Sequence, residues 1–77
     1  MKVRIRLDTM TDIANFVLIA NSTPKAVLLT NNDHLCVDGK SFLGVAYSRE
    51  FNDLWCETEA DLYTKLQPYI VTDTPSN

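Results

Sequence analysis

Three side chains in this sequence are of the types that most often hold structural zinc or form disulfides: Cys36, Cys56 and the only histidine, His34. A structural zinc site needs four ligands, and the spacing of His34 and Cys36 does not begin a zinc pattern that the chain could complete. Two cysteines could form one disulfide in a secreted domain, but in a cytoplasmic chain they are typical of small buried side chains. We therefore expect no metal site and no cofactor.

A second candidate for chemistry is Ser41, within the stretch "DGKSFLGVAYS" from Asp38 to Ser48. The serine follows a polar turn and precedes an apolar segment, so its side chain can cap a helix by accepting a hydrogen bond from the amide of Leu43 or Gly44. The same position suits a phosphate, because amide groups at a helix N-terminus are free and the dipole is positive there. Ser41 is therefore interpreted either as a helix cap alone or as a cap that is also a phosphorylation site.

The apolar residues after Ser41 are too many for one short helix to bury. Those that remain exposed would form a patch of the kind that marks a protein partner. The alternative is that the loop after Arg49 folds over them. The sequence predicts a docking surface from the following residues: Lys40, Phe42, Leu43, Val45 and Tyr47.

Hydrophobic periodicity predicts the elements that position these residues. Alternation of apolar and basic residues predicts a first strand with Val3, Ile5 and Leu7 on its buried face. Apolar residues with helical spacing follow this strand. In chain order we expect strands at 2–7, 25–30, 34–38 and late within 51–58, and helices at 8–22, 41–50 and 59–71. Asp8, Thr9 or Thr11 can cap the first helix. Thr58 is expected to cap the last helix, with Asp61 three residues on as in a capping box, and residues 72–77 are expected to fray.

Composition limits the function classes. The 77 residues fit one domain, 1–77, and 45% of them are hydrophobic, enough for a small core but not for a large buried cavity. The net charge of −3 argues against a nucleic-acid or acidic-membrane partner, which would need a basic face. Charges interrupt the apolar residues of "MKVRIRLD", as they do not in a signal peptide. We expect a cytoplasmic monomer.

The element order and the stretches "ANFVLIAN" and "VDGKSFLGV" resemble HPr, the small phosphocarrier of the bacterial sugar phosphotransferase system. The resemblance covers roughly Lys2 to Val71. It implies an α+β open-faced β-sandwich, β-α-β-β-α-β-α, with a four-stranded antiparallel sheet in the order 1-4-2-3 and the helices on one face. In that order Cys36 and Cys56 lie on strands that are not neighbours, so we predict no disulfide between them.

The family carries phosphate on a histidine at the N-cap of its first helix, within a Gly-x-His-x-Arg-Pro motif. In this chain, Thr9 falls at the histidine position, Thr11 at the arginine position and Asp12 at the proline position. A threonine hydroxyl cannot replace imidazole as a phosphoryl shuttle, and Asp12 would repel a phosphate. His34 lies far from the motif. The resemblance therefore implies a chain without a catalytic residue.

Ser41 does match a residue of the family. In many relatives from Gram-positive bacteria, the serine at this position is phosphorylated by a dedicated kinase and regulates docking to enzyme I and to a transcriptional regulator. We therefore expect a non-catalytic, HPr-like interaction or regulatory module. Two alternatives remain: a working phosphocarrier of the phosphoenolpyruvate-dependent sugar phosphotransferase system, and an HPr-like fold with an unrelated role.

Overall fold

The structure, a computed structural model, describes residues 1–31 and 35–72. Its strands are β1 (Lys2–Arg4), β2 (Val27–Thr30), β3 (Cys36–Asp38) and β4 (Trp55–Thr58), and its helices are α1 (Met10–Ala20), α2 (Phe42–Ser48) and α3 (Tyr63–Leu66), followed by a 3-10 turn (Gln67–Tyr69). The strands form one antiparallel sheet in the order β1-β4-β2-β3. The α+β class, the element order and the sheet order are those predicted from the sequence. The predicted positions of His34, of the turn before it and of residues 73–77 lie outside the described residues.

The core lies between the sheet and the helices. From α1 it receives Ile13, Phe16 and Ala20, as the helical spacing predicted, and from β2 it receives Val27 and Leu29. Fully burying a side chain such as Phe16 or Ile13 stabilises the fold by about 1.5–3 kcal/mol. The other face of the sheet has no helix among the described elements.

The strands in the structure are shorter than predicted. In the first strand, a contact with the C-terminal part of the chain replaces the predicted end. Ile5 and Leu7 are buried as their alternation predicted, but β1 ends at Arg4. Ile5 then bridges to Ile70, and the amide of Val71 donates to the carbonyl of Arg4 at 2.9 Å. The chain beyond the last helix therefore covers the outer edge of this strand.

The predicted final helix, 59–71, is wrong in its extent and its cap. Thr58 is a buried residue of β4, and its hydroxyl donates to the carbonyl of Ala26 at 2.7 Å. Because the hydroxyl also accepts from the amide of Ala60, it holds the chain in a turn. The helix begins only at Tyr63, and Pro68, which has no amide to donate, falls in the 3-10 turn that ends it.

The two cysteines are separated by a strand. Cys56 is buried in β4 and Cys36 is exposed in β3, with β2 between them. Both are free thiols in the structure, in agreement with the prediction. Burial raises the pKa of the Cys56 thiol to about 11, and the positive charge of the N-terminus opposes this only in part.

Candidate docking site

The N-terminus of α1 is closed by a capping box. Of the three candidate caps, Thr9 is the one used: its Oγ1 accepts from the amide of Asp12 at 3.0 Å. The Asp12 carboxylate accepts in return from the amides of Thr9 at 3.2 Å and Asp8 at 2.9 Å. Thr9 is thus a structural cap whose hydroxyl has a partner, and the carboxylate of Asp12 lies directly beside it.

Ser41 caps α2 as predicted. Its backbone is extended, and its Oγ accepts from the amide of Gly44 at 3.1 Å. The turn before it is fixed by Asp38, whose Oδ1 accepts from the amide of Lys40 at 2.9 Å and whose carbonyl accepts from the amide of Ser41 at 3.1 Å. The side chain of Ser41 is half-buried, at the edge of the helical layer.

Lys40 is held by hydrogen bonds of both its ammonium group and its backbone. Its ammonium donates to the carbonyl of Thr23 at 2.6 Å, and its own carbonyl accepts from the Asn21 side chain at 3.2 Å. The residue is half-buried. It therefore anchors the N-terminal end of α2 to the end of α1, and its charge is held beside the predicted docking surface.

The two helices are tied together at both ends. Asn21, at the C-terminal end of α1, contacts Lys40 before α2, while the Arg49 guanidinium after α2 donates to the carbonyl of Asp8 before α1 at 3.0 Å. This pairing of opposite ends makes the helices antiparallel. The outer faces of α1 and α2 therefore lie side by side and form one surface.

Large apolar side chains are exposed on this surface. Leu43, in the first turn of α2, is 81% exposed, and Leu18, in the last turn of α1, is 71% exposed, although both are apolar. We call the α1–α2 patch the set Met10, Leu18, Phe42, Leu43 and Tyr47. None of the five carries a charge, and depletion of charge with exposed Met and aromatic side chains is typical of the centre of a protein interface.

Val45 does not belong to this surface, so its inclusion in the predicted docking surface was wrong. It is fully buried, because it lies on the side of α2 that faces the sheet, as does Ser48 one turn later. The buried Ser48 hydroxyl donates a hydrogen bond to the carbonyl of Val45 at 2.6 Å, so it has a partner within α2. Phe42, Leu43 and Tyr47 are exposed as predicted, and the loop after Arg49 leaves them so, although Phe51 contacts Tyr47 edge to face at 5.9 Å between ring centroids.

Met10 and Leu18 were missed as members of the patch. The sequence did indicate their exposure, because neither has the helical spacing of the buried residues Ile13, Phe16 and Ala20 in α1. Thr11 is exposed in the first turn of α1, next to Met10. The antiparallel packing places Met10 toward the Tyr47 end of α2 and Leu18 toward the Phe42 end.

Other kinds of site have little support among residues 1–31 and 35–72. No group of three His, Cys, Asp or Glu side chains there could hold a metal ion. Within the same residues, no helix has the length and apolar character needed to cross a bilayer.

Comparison with known proteins adds no relative. No protein-family model matches this chain, and searches of curated proteins and of solved structures gave no significant match.

Proposed function

We propose that this chain is a non-catalytic, HPr-like protein-interaction module, related to the sugar phosphotransferase system, that docks partner proteins through the α1–α2 patch. The observation that carries the proposal is the exposure of five large uncharged side chains on two helices that are tied together at both ends. Exposing such residues to water is unfavourable unless another protein covers them.

The chemistry at Thr9 supports the non-catalytic part of the proposal. A phosphocarrier needs a nucleophile that is free and basic near neutral pH, and an alcohol without a general base is not one. The Thr9 hydroxyl already accepts a hydrogen bond from the backbone amide of Asp12. The Asp12 carboxylate accepts from the amides of Asp8 and Thr9, and its charge would repel an incoming phosphoryl group. The same threonine does provide the helix cap that α1 requires.

The regulatory part of the proposal rests on the position of Ser41. It lies directly before Phe42 and Leu43, so a phosphate there would bring about two negative charges to the edge of an uncharged patch. Docking of an apolar partner surface would require desolvation of that phosphate. Phosphorylation at Ser41 is therefore expected to weaken docking while leaving the helix capped.

The test is titration of the full chain with purified enzyme I and, separately, with the transcriptional regulator that the family serves, by isothermal calorimetry. Leu43→Lys places a charge in the centre of the patch and should weaken binding by about tenfold or more. Tyr47→Lys and Tyr63→Lys form a matched pair, since both tyrosines are exposed but only Tyr47 lies in the patch. Tyr47→Lys should weaken binding and Tyr63→Lys should not.

Two outcomes would overturn the proposal. One is that neither enzyme I nor the regulator binds the chain at about 100 μM, a concentration at which even weak signalling contacts are measurable. The other is binding that Leu43→Lys and Tyr47→Lys leave unchanged, which would place the contact elsewhere on the chain.

A further inference from the structure

The two helices that form the α1–α2 patch are almost free of charge. Residues 13–21 in and after α1 and residues 41–48, which cap and form α2, contain no acidic or basic side chain. The one charged residue of α1 is Asp12, whose carboxylate accepts from the amides of Asp8 and Thr9 in the capping box. Apart from this cap, the two helices offer a partner no charge to pair with.

Charges adjoin α2 at both of its ends, and each end has one of each sign. Asp38 and Lys40 precede the helix, and Arg49 and Glu50 follow it. The Lys40 ammonium also donates to the carbonyl of Thr23 at 2.6 Å. Because opposite charges that lie close together largely cancel at the distance of an approaching partner, neither end of α2 has a strong field of one sign.

The charges that adjoin α1 are balanced in the same way. Before the helix, Arg6 and Asp8 form an ion pair at 2.9 Å. Beyond its C-terminal end, the Lys65 ammonium donates to the Ser22 hydroxyl at 3.2 Å and balances the charge of Asp12 at the other end. Within residues 1–31 and 35–72, the surroundings of the patch thus have no net sign with which to attract a charged partner.

We propose that the partner covers the α1–α2 patch with an uncharged, apolar surface of its own, so that docking depends on burial of apolar area and not on pairing of charges. This inference rests on the docking function proposed above and specifies the chemistry of the partner. A charged group placed against Leu43 or Tyr47 would lose its hydration without gaining a counter-charge, which is unfavourable. An apolar side chain placed there is stabilised by leaving water, as is the exposed Leu43 that it covers.

An uncharged partner surface cannot distinguish a positive from a negative substitution within the patch. Leu43→Lys and Leu43→Glu each bring a charge that must be desolvated with no counter-charge on the partner. Both should weaken docking by about tenfold or more, and the two factors should agree within about threefold. A charged partner surface would attract one sign and repel the other, and the two dissociation constants would then differ by more than about tenfold.

The test is isothermal calorimetry of the full chain with enzyme I and, separately, with the regulator, for Leu43→Lys, Leu43→Glu and the uncharged Leu43→Gln. The last variant should weaken docking less than either charged one, since an amide costs less to bury than an ion. Tyr63→Lys and Tyr63→Glu are the controls, because Tyr63 is exposed outside the patch and reports how the overall charge of the chain affects binding. The ratio of their dissociation constants is divided out of the ratio for Leu43. Thermal melts of all variants must show that the fold persists.

The charges beside the patch allow a second measurement. Asp38 and Glu50 are both exposed, and Asp38→Asn and Glu50→Gln each remove one member of a balanced pair. Asp38→Asn keeps an oxygen for the amide of Lys40. Glu59→Gln removes the same charge from an exposed residue outside the patch and serves as the control. Each of the three should change the dissociation constant by less than about twofold, because no charge of the partner faces these residues.

Two results would overturn this inference alone and leave the docking function in place. One is docking that one sign of charge at Leu43 weakens and the other sign leaves unchanged or strengthens. The other is a change of about tenfold or more in Asp38→Asn or Glu50→Gln that Glu59→Gln does not share. If neither protein binds, or if binding is unchanged by every substitution at Leu43 and Tyr47, the proposed function is overturned and this inference with it.

Discussion

The cap of α2 yields the most quantitative prediction. Ser41→Ala removes the Oγ that accepts from the amide of Gly44 at 3.1 Å, and leaves that amide half-buried without its partner. Loss of a serine N-cap costs about 1 kcal/mol in the free energy of unfolding. For a chain of this size, that corresponds to a decrease in melting temperature of about 4–8 °C. Ser41→Asp should cost less, because a carboxylate also accepts from the amide and suits the helix dipole.

The assay is thermal unfolding followed by far-UV circular dichroism, with urea unfolding as the second measure of the free energy. Ser41→Gly should cost only a few tenths of a kcal/mol, since glycine is tolerated at this position. Ser41→Thr keeps the hydroxyl and should be close to the wild type. The reasoning is refuted if aspartate destabilises the protein more than alanine does, because a capping position cannot show that order.

The other predictions concern the turn before α2, the buried thiol and the phosphocarrier position. Gly39→Ala should destabilise the fold by about 1–3 kcal/mol in urea unfolding, because the new Cβ would lie 2.9 Å from both the carbonyl oxygen and a methyl carbon of Val27; an unchanged midpoint would contradict this. The free energy of unfolding should fall between pH 9 and 11, by up to about 3 kcal/mol, since the unfolded Cys56 thiol ionises near pH 9 and the folded one only near pH 11. Comparison with Cys56→Ala isolates this fall, and an identical pH dependence in both proteins would refute it. Incubation with phosphoenolpyruvate and enzyme I should leave the chain without acid-labile phosphate, because the proposed likeness to HPr puts Thr9, which is not a phosphocarrier, where the family has its histidine. Acid-labile label on the wild type that disappears in His34→Ala would contradict this and assign the phosphate to His34.

The elements that the sequence predicted well are those fixed by local pattern. Ile13, Phe16 and Ala20 have helical spacing, and their burial follows from that spacing alone. Ser41 and Gly44 likewise formed the predicted cap, since a cap depends on residues three apart. The sheet order came from the resemblance to a family and not from any pattern in the residues.

The failures share a cause in contacts between residues distant in sequence. Thr58 has the side chain of a helix cap, but a hydrogen bond to the carbonyl of Ala26, 32 residues away, holds it in β4. Val45 was included in the predicted docking surface although it is buried. The face of α2 that meets the sheet is set by the packing of this short helix against α1 and β3, which the local sequence does not show. The same packing exposes Met10 and Leu18, and the sequence gives only their position off the apolar stripe.

The interaction surface itself is tested most directly by backbone amide chemical shifts of the isotope-labelled chain during titration with unlabelled enzyme I. The account predicts the largest changes in α1 around Met10 and Leu18 and in α2 from Phe42 to Tyr47, with small changes in β1 and β3. Chemical-shift changes confined to the open face of the sheet, or none at saturating enzyme I, would contradict the claim that this chain docks its partners through the α1–α2 patch.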